Sequence, residues 1–204
     1  FESKIATYTN TKYAVALNSG TDALTLGLYV LGVQPGDEVI TPPNSFIAST
    51  AVIVHLGAKP IFVDVKEDQN IDPALIEKSI TRKTKAIMPV HLTGRIADMH
   101  PIMEISKKYG IPIIEDAAQS IGSLYYKKPA GSFGSVGCFS AHPLKNLNAM
   151  GDAGYLTTNN KEIYIKVKDL SNHGMTNRTR IKQFGFVSRM DNIQATILNF
   201  RLKN

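Results

Sequence analysis

The amino-acid sequence predicts an α/β fold in which helices cover both faces of a mostly parallel central sheet. Between residues 13 and 116, short apolar segments of strand length alternate with longer segments of helical periodicity. Turn residues such as Gln34–Asp37 and Gly110 separate these segments. Strands that alternate with helices pair in parallel and are buried on both faces, which predicts three layers, α/β/α.

The predicted elements follow one another along the whole chain. After a helix end in residues 1–10, we predict strands at 13–17, 38–40, 59–65, 86–90 and 111–115, and helices at 23–31, 47–56, 72–80 and 99–109. Further on, we predict short strands near residue 125, at 137–139 and at 155–157, and a helix at 161–172. The polar segment 175–188 is predicted to be mobile, and the apolar face of the amphipathic segment 190–202 to form an interface.

Composition and charge exclude several classes of protein. Of the 204 residues, 43% are hydrophobic and 20% are charged, which is ordinary for a globular protein. No apolar run is long enough to span a bilayer, and no secretory signal or metal-ligand spacing is visible, so we expect no membrane and no metal. The net charge of +6 could attract phosphate-bearing ligands, but the basic residues are scattered, which favours a solvated surface, and we expect no nucleic-acid partner. The single cysteine, Cys138, fits a reducing compartment, and we predict a cytoplasmic protein.

Two side chains suggest chemistry when they are considered together. Lys145 lies among mostly small, uncharged residues, and an amine removed from water loses basicity and can attack a carbonyl carbon. Taken alone, it would more often be a surface lysine. Asp116 follows the apolar strand at 111–115, where a carboxylate can hold a cofactor in an open α/β sheet. A pyridoxal phosphate enzyme needs both: the lysine carries the aldehyde, and the aspartate keeps the pyridine nitrogen protonated.

A third stretch, Asn18–Thr21, joins the first strand to the first long helix. A helix that begins in this way presents free backbone amides and a positive dipole end to an anion. Gly20 and Thr21 are therefore candidates for a phosphate cradle, whereas Ser19 or Thr21 can equally be a simple helix cap. Beside Lys145 and Asp116 we favour phosphate.

Four motifs resemble the DegT/DnrJ/EryC1/StrS family of sugar aminotransferases. They are Ser-Gly-Thr at 19–21, Glu-Asp-Ala-Ala-Gln at 115–119, Phe-Ser-x-His-Pro-x-Lys-Asn-Leu at 139–147 and Gly-Asp-Ala-Gly at 151–154. The resemblance runs along essentially the whole chain and implies the large domain of a fold-type I, pyridoxal-phosphate-dependent enzyme. We therefore expect residues 1–204 to be this cofactor-binding domain, without some N-terminal residues and without the C-terminal small domain.

The resemblance also assigns roles to side chains. It implies that Phe46 stacks on the cofactor ring, although the residue alone is more typical of a core. It implies that Gln119 reaches the phenolic oxygen of the cofactor, and that Ser140 binds the phosphate with Thr21. For His142 and His91, contact with the substrate and a structural role are left as equal alternatives.

The implied reaction transfers an amino group from glutamate, through pyridoxal phosphate, to a nucleotide-linked keto-sugar in a homodimer. Gly151–Gly154 differs from the more frequent Gly-Glu-Gly-Gly of the family, which favours a ketone at position 3 over position 4. Val187 replaces an asparagine that reaches the partner subunit in the family, and Ser188 is a possible substitute.

Three alternatives remain beside this reaction. A dehydratase of the same family would carry histidine in place of Lys145, and a non-catalytic regulatory homologue would not need the Lys145–Asp116 pair. A Rossmann-type dehydrogenase would need a Gly-rich loop after the first strand, and Asn18–Ala23 lacks it.

Overall fold

The computed structural model describes residues 1–203, which form eleven strands and seven α-helices. The strands are β1 (Tyr13–Leu17), β2 (Glu38–Thr41), β3 (Lys59–Phe62), β4 (Thr84–Ile87), β5 (Ile114–Asp116), β6 (Leu124–Tyr125), β7 (Lys128–Pro129), β8 (Val136–Ser140), β9 (Gly154–Thr158), β10 (Met175–Asn177) and β11 (Arg180–Ile181). The helices are α1 (Glu2–Tyr8), α2 (Gly20–Val30), α3 (Ile47–His55), α4 (Pro73–Ile76), α5 (Met99–Tyr109), α6 (Lys161–Ser171) and α7 (Asn192–Arg201).

Seven of these strands lie side by side in the order β3-β2-β4-β5-β8-β9-β1. Hydrogen bonds connect β3-β2-β4 and β5-β8-β9-β1, and parallel bridges from Ile87 to Ile113 and from Val90 to Asp116 join the two groups. Every neighbouring pair is parallel except the two that involve β9, which is antiparallel to both β8 and β1. The mostly parallel central sheet predicted from the sequence is confirmed.

The sheet separates two hydrophobic clusters because neighbouring side chains of a strand point to opposite faces. On β8, Phe139 belongs to the cluster that includes Met99 and Ile102 of α5. Cys138, one residue earlier, belongs to the cluster that includes Leu24 and other residues of α2. Each fully buried aliphatic or aromatic side chain stabilises the fold by about 1.5–3 kcal/mol. Helices thus cover both faces, and the predicted three layers are confirmed.

Several predicted elements are shorter in the structure. The strands predicted at 59–65 and 86–90 end at Phe62 and Ile87, because the residues beyond them pair only at isolated positions such as Val65 and Val90. The helix predicted at 72–80 is α-helical only in α4 and continues as a 3-10 turn at Glu77–Ser79. Apolar periodicity does not reveal where the hydrogen-bond pattern changes.

The segment 175–188, which was predicted to be mobile, contains an antiparallel hairpin of β10 and β11. Its two ends are held together and to the end of α6. The amide of His173 donates to the carbonyl of Phe186 at 2.8 Å, and the amide of Phe186 donates to the carbonyl of Leu170 at 2.7 Å. These bonds join backbone groups, so the polar composition of the segment gave no sign of them.

The predicted apolar face of residues 190–202 is partly used inside the chain. Leu198 is fully buried in the core and Met190 packs against it, whereas Ile193 is 67% exposed. The face predicted to form an interface is therefore partly covered by the chain itself, and the interface stays a prediction. Like every other helix within residues 1–203, α7 is too short or too polar to cross a membrane.

Candidate active site

A cavity of 370 Å³ lies where the carboxyl ends of the parallel strands meet the first turn of α2. All nine residues predicted from the sequence line it: Gly20, Thr21, Phe46, His91, Asp116, Gln119, Ser140, His142 and Lys145. They come from five separate parts of the chain, and the parallel order of the strands brings them to one edge of the sheet. Their common location is an observation, and their individual roles stay predictions.

Asp116 ends β5 at the base of the cavity and is 4% exposed. Its Oδ2 atom accepts a hydrogen bond from Ser49 Oγ at 2.6 Å, and its Oδ1 atom accepts from the amide of Ala118 at 3.2 Å. Burial raises the pKa of the Asp116 carboxyl, while these two hydrogen bonds and the nearby His91 and Lys145 act in the opposite direction. The site therefore holds a buried carboxylate that a neighbouring positive charge would stabilise.

Lys145 lies on the loop between β8 and β9 and is half-buried rather than removed from water. The backbone of this loop is fixed by a hydrogen bond from the amide of Lys145 to the carbonyl of His142 at 2.8 Å. The amide of Leu144 donates to Nδ1 of His142 at 3.2 Å. His142 thus has a structural role at one ring nitrogen, and its other nitrogen is left for a further contact.

The first turn of α2 forms another wall of the cavity. Ser19 caps the helix, since its Oγ accepts from the amide of Asp22 at 3.0 Å, while Gly20 and Thr21 line the cavity. The predicted cap and the predicted anion cradle are therefore compatible. Gly20 lies so close to Ser140 that a Cβ atom at position 20 would be 2.7 Å from the Cβ of Ser140.

Gly154, at the start of β9, lets the same turn approach the sheet. A Cβ atom at this position would lie 2.2 Å from the backbone carbon of Ser19, a distance that no packed side chain tolerates. We expect Gly154→Ala to lower the free energy of unfolding by about 1–3 kcal/mol. Urea denaturation measures this change.

Gly151→Ala is the matched control for that substitution within the same motif. Its Cβ atom would meet only the flexible end of the Gln194 side chain, at 2.8 Å from Nε2. We therefore expect a smaller loss of stability than in Gly154→Ala. Equal losses in the two variants would contradict the role assigned to the close approach at Ser19.

Phe46 and Gln119 line the upper part of the cavity. Phe46 is 67% exposed, so the alternative of a core residue is excluded. The side-chain Oε1 of Gln119 accepts from the amide of Thr93 at 2.7 Å, which orients the carboxamide and leaves its NH2 group as a donor. Both placements are compatible with the contacts that the resemblance implies.

His91 lines the cavity but is fully buried, and both of its ring nitrogens have partners. Nε2 lies 3.1 Å from a carboxylate oxygen of Glu115, and Nδ1 accepts from the amide of Ala97 at 3.2 Å. Both ring nitrogens are therefore used in contacts inside the protein. This supports the structural alternative for His91.

Glu115 is a buried residue whose role was missed in the sequence. Its carboxylate accepts from His91 and from the backbone amides of Gly131, Phe133 and Gly134 at 2.7–2.8 Å. The Gly-rich loop at 131–137 therefore surrounds an anion, which is a carboxylate of the protein itself. The adjacent acidic residues at 115 and 116 were the only local sign.

Ser188 does not provide the partner contact suggested for it. It is 2% exposed and its hydroxyl donates to Asp22 Oδ2 at 2.7 Å, within the first turn of α2. Val187, beside it, is 59% exposed. Ser188 thus attaches the end of the hairpin segment to the helix that lines the cavity.

The fold is the one that fold-type I, pyridoxal-phosphate-dependent enzymes share. The chain belongs to the DegT/DnrJ/EryC1/StrS aminotransferase family, whose family model matches residues 1–204. The family and the fold predicted from the sequence are thereby confirmed.

Named relatives are similar to nearly the whole chain. A pleiotropic regulatory protein of Geobacillus stearothermophilus is 43% identical over 98% of this chain and 54% of its own length. The UDP-2-acetamido-2-deoxy-3-oxo-D-glucuronate aminotransferase of Pseudomonas aeruginosa is 43% identical over 97% of this chain and 55% of its own. The solved structure of NtdA from Bacillus subtilis with bound cofactor PMP superposes with a TM-score of 0.93 at 41% identity, over 99% of this chain and 46% of that one. The chain therefore spans about half the length of the proteins that it matches.

Proposed function

We propose that residues 1–204 are the cofactor-binding large domain of an aminotransferase that moves an amino group from L-glutamate to a nucleotide-linked keto-sugar. The single observation that carries this proposal is the placement of Lys145 and Asp116 on one cavity with the first turn of α2. In this arrangement an amine, a buried carboxylate and a helix N-terminus face the same small volume. The remaining residues of the whole protein would complete the site.

The residues present fit pyridoxal phosphate, the cofactor of the family to which the chain belongs. The cavity volume falls within the roughly 300–1,000 Å³ of small-molecule sites. The buried carboxylate of Asp116 would hold the protonated ring nitrogen, and the first turn of α2 with Ser140 would hold the phosphate. Phe46 would cover one face of the ring, and the NH2 group of Gln119 would donate to its phenolic oxygen.

When bound, the cofactor supplies an aldehyde and an electron sink for the carbon atoms of the substrate. Lys145 would hold the aldehyde carbon at rest and, once released from it, would act as the base of the reaction. Its Nζ atom would take a proton from the α-carbon of glutamate and would later deliver a proton to the former ketone carbon of the sugar. Asp116 would keep the ring nitrogen charged throughout this exchange.

The class of sugar follows from relatives and from one motif. The P. aeruginosa relative is named for a nucleotide-linked 3-oxo sugar, which supports a ketone at position 3. Asp152, in the motif that suggested this position, lines the cavity. We propose a 3-keto sugar linked to a nucleotide as the acceptor.

A regulatory role is the second candidate, since the G. stearothermophilus relative is named a regulatory protein. The presence of Lys145 and Asp116 on one cavity favours catalysis, and the presence of lysine at position 145 argues against the dehydratase. A spectroscopic experiment distinguishes the two candidates.

The purified full-length protein is expected to absorb visible light when it is loaded with pyridoxal phosphate. L-glutamate should convert this band to the ultraviolet band of the aminated cofactor, and a nucleotide-linked 3-keto sugar should restore it. D-glutamate, which presents the opposite stereochemistry, is the matched control and should leave the band unchanged. A protein that binds the cofactor but never responds to L-glutamate would favour the regulatory candidate.

We further propose a homodimer whose sites combine two subunits. The hairpin segment carries exposed apolar side chains, of which Phe184 is 98% and Ile181 is 64% exposed. Surfaces of this kind commonly mark an interface. We expect sedimentation of a dimer, and mixing Lys145→Ala subunits with Phe184→Asp subunits to restore up to about a quarter of the activity through hybrid dimers. A fully active monomer would contradict this proposal.

We also propose a cytoplasmic location. Cys138, the single cysteine, is buried as a free thiol that packs as a small apolar side chain. Fractionation of cells that produce the protein would place it in the cytoplasm, and recovery from an oxidising compartment would contradict this location.

A further inference from the structure

The start of α3 contributes further side chains to the cavity besides the aromatic ring of Phe46. Ser45 and Ser49, on either side of that ring, also line the cavity. Their hydroxyl oxygens lie 2.7 Å apart, and Ser49 Oγ lies 2.6 Å from Oδ2 of Asp116. A continuous chain of hydrogen bonds therefore runs from the half-buried Ser45, through the buried Ser49, to the carboxylate.

The direction of these hydrogen bonds follows from the chemistry of the carboxylate. An ionised aspartate only accepts, so Ser49 donates to Asp116. The single proton of the Ser49 hydroxyl is then in use, and its oxygen accepts from Ser45. Both hydroxyls are thus oriented for an ionised Asp116.

The surroundings show why such orientation matters. Burial disfavours the ionised form and raises the pKa of Asp116, and the hydrogen bond from Ser49 is the strongest influence that opposes this shift. His91, from the loop after β4, and Lys145, from the loop after β8, favour the ionised form more weakly. Glu115 and Cys138 are the other titratable groups beside it on the sheet, and both lie in buried positions.

We propose that Ser49 and Ser45 form a positioning pair that keeps Asp116 ionised, aims its carboxylate at the cofactor ring and couples it to Phe46. The backbone supports the coupling, since the amide of Ser49 donates to the carbonyl of Phe46 at 3.2 Å. One helical turn thus fixes both the group that covers the ring and the group that holds its nitrogen. This inference rests on the proposed function, and it assigns two residues that the sequence did not indicate.

The test measures binding of pyridoxal phosphate to the full-length apoprotein as a function of pH, together with kcat and KM. In Ser49→Ala the ionised form of Asp116 loses its best donor, so the pH below which binding weakens is expected to rise by about one unit. We expect kcat to fall about tenfold or more, with KM for the sugar little changed, because a hydrogen bond to a charged group is lost. Ser45→Ala is also expected to raise the pH below which binding weakens and to lower kcat, each by less than Ser49→Ala does.

Two further variants separate positioning from packing. Ser49→Thr keeps the hydroxyl and is expected to restore the pH dependence of the parent protein. Ser120→Ala is the matched control, because Ser120 is a buried serine at the same end of β5 whose hydroxyl donates to the carbonyl of Ala117 rather than to Asp116. We expect parental pH dependence in this control.

The outcomes distinguish this inference from the proposed function. If Ser49→Ala binds cofactor with unchanged pH dependence and unchanged kcat, the positioning pair is overturned while the proposed function stands. A shift of the same size in Ser120→Ala would also overturn it, since packing would then explain the effect. If Ser49→Ala does not fold, Ser45→Ala decides, and unchanged pH dependence there overturns the pair. A parent protein that binds no pyridoxal phosphate would overturn both proposals.

Discussion

Replacing Lys145 with alanine is expected to remove the visible band of the bound cofactor and to lower the transamination rate about 10³-fold or more. The reason is that one amine both holds the aldehyde and exchanges protons with the substrate carbons. The remaining contacts of the cavity come from other residues, so binding of the aminated cofactor should persist. Absorption spectra and single-turnover rates with L-glutamate measure these changes.

The matched control for Lys145→Ala is Lys161→Ala, which removes an exposed lysine at the start of α6. It is expected to leave the band and the rate unchanged. Mass spectrometry after borohydride reduction should find the cofactor attached to Lys145 in the parent protein. Attachment to any other lysine would remove Lys145 from the proposed mechanism.

Replacing Glu115 with alanine is expected to lower the free energy of unfolding by about 3–5 kcal/mol. The variant would leave the amides of Gly131, Phe133 and Gly134 and the ring of His91 buried without their acceptor. Such orphaned donors cost about 1–3 kcal/mol each before the structure relaxes. Urea denaturation followed by circular dichroism measures the loss.

Two comparisons make the Glu115 result specific. Glu104→Ala removes an exposed carboxylate from α5 and should change stability by less than about 0.5 kcal/mol. Glu115→Gln should be intermediate, because one oxygen still accepts while the NH2 group faces other donors. A loss below about 1 kcal/mol in Glu115→Ala would show that the loop is held by other contacts.

Much of the fold and the residues around the cavity could be predicted from the sequence because their signals are local. Apolar periodicity revealed the strands, and short motifs contained Lys145, Asp116 and Gln119. The positions of these residues at strand ends and at a helix start then placed them on one edge of the sheet. The same reasoning left His91 undecided, because a strand-end histidine can satisfy either the backbone or a ligand.

The residues that were missed act across long sequence separations. Ser49 contacts Asp116 from 67 positions away, and Ser188 contacts Asp22 from 166 positions away. Glu115 binds backbone amides, which carry no signature in the side-chain sequence. Periodicity and motif spacing describe neighbours along the chain, so contacts of these two kinds become visible only once the chain is folded.

The antiparallel strand β9 also has a consequence for the order in which the molecule can assemble. Within residues 1–203, β1 pairs with β9, so Tyr13 must find Thr158 before the first strand is fixed. Closing so long a loop is slow compared with forming local contacts. The first strand, which leads into the helix start that lines the cavity, therefore gains its partner in the sheet only after β9 is available. A polypeptide emerging from the ribosome would acquire its binding site only after Gly154 and the rest of β9 have been made.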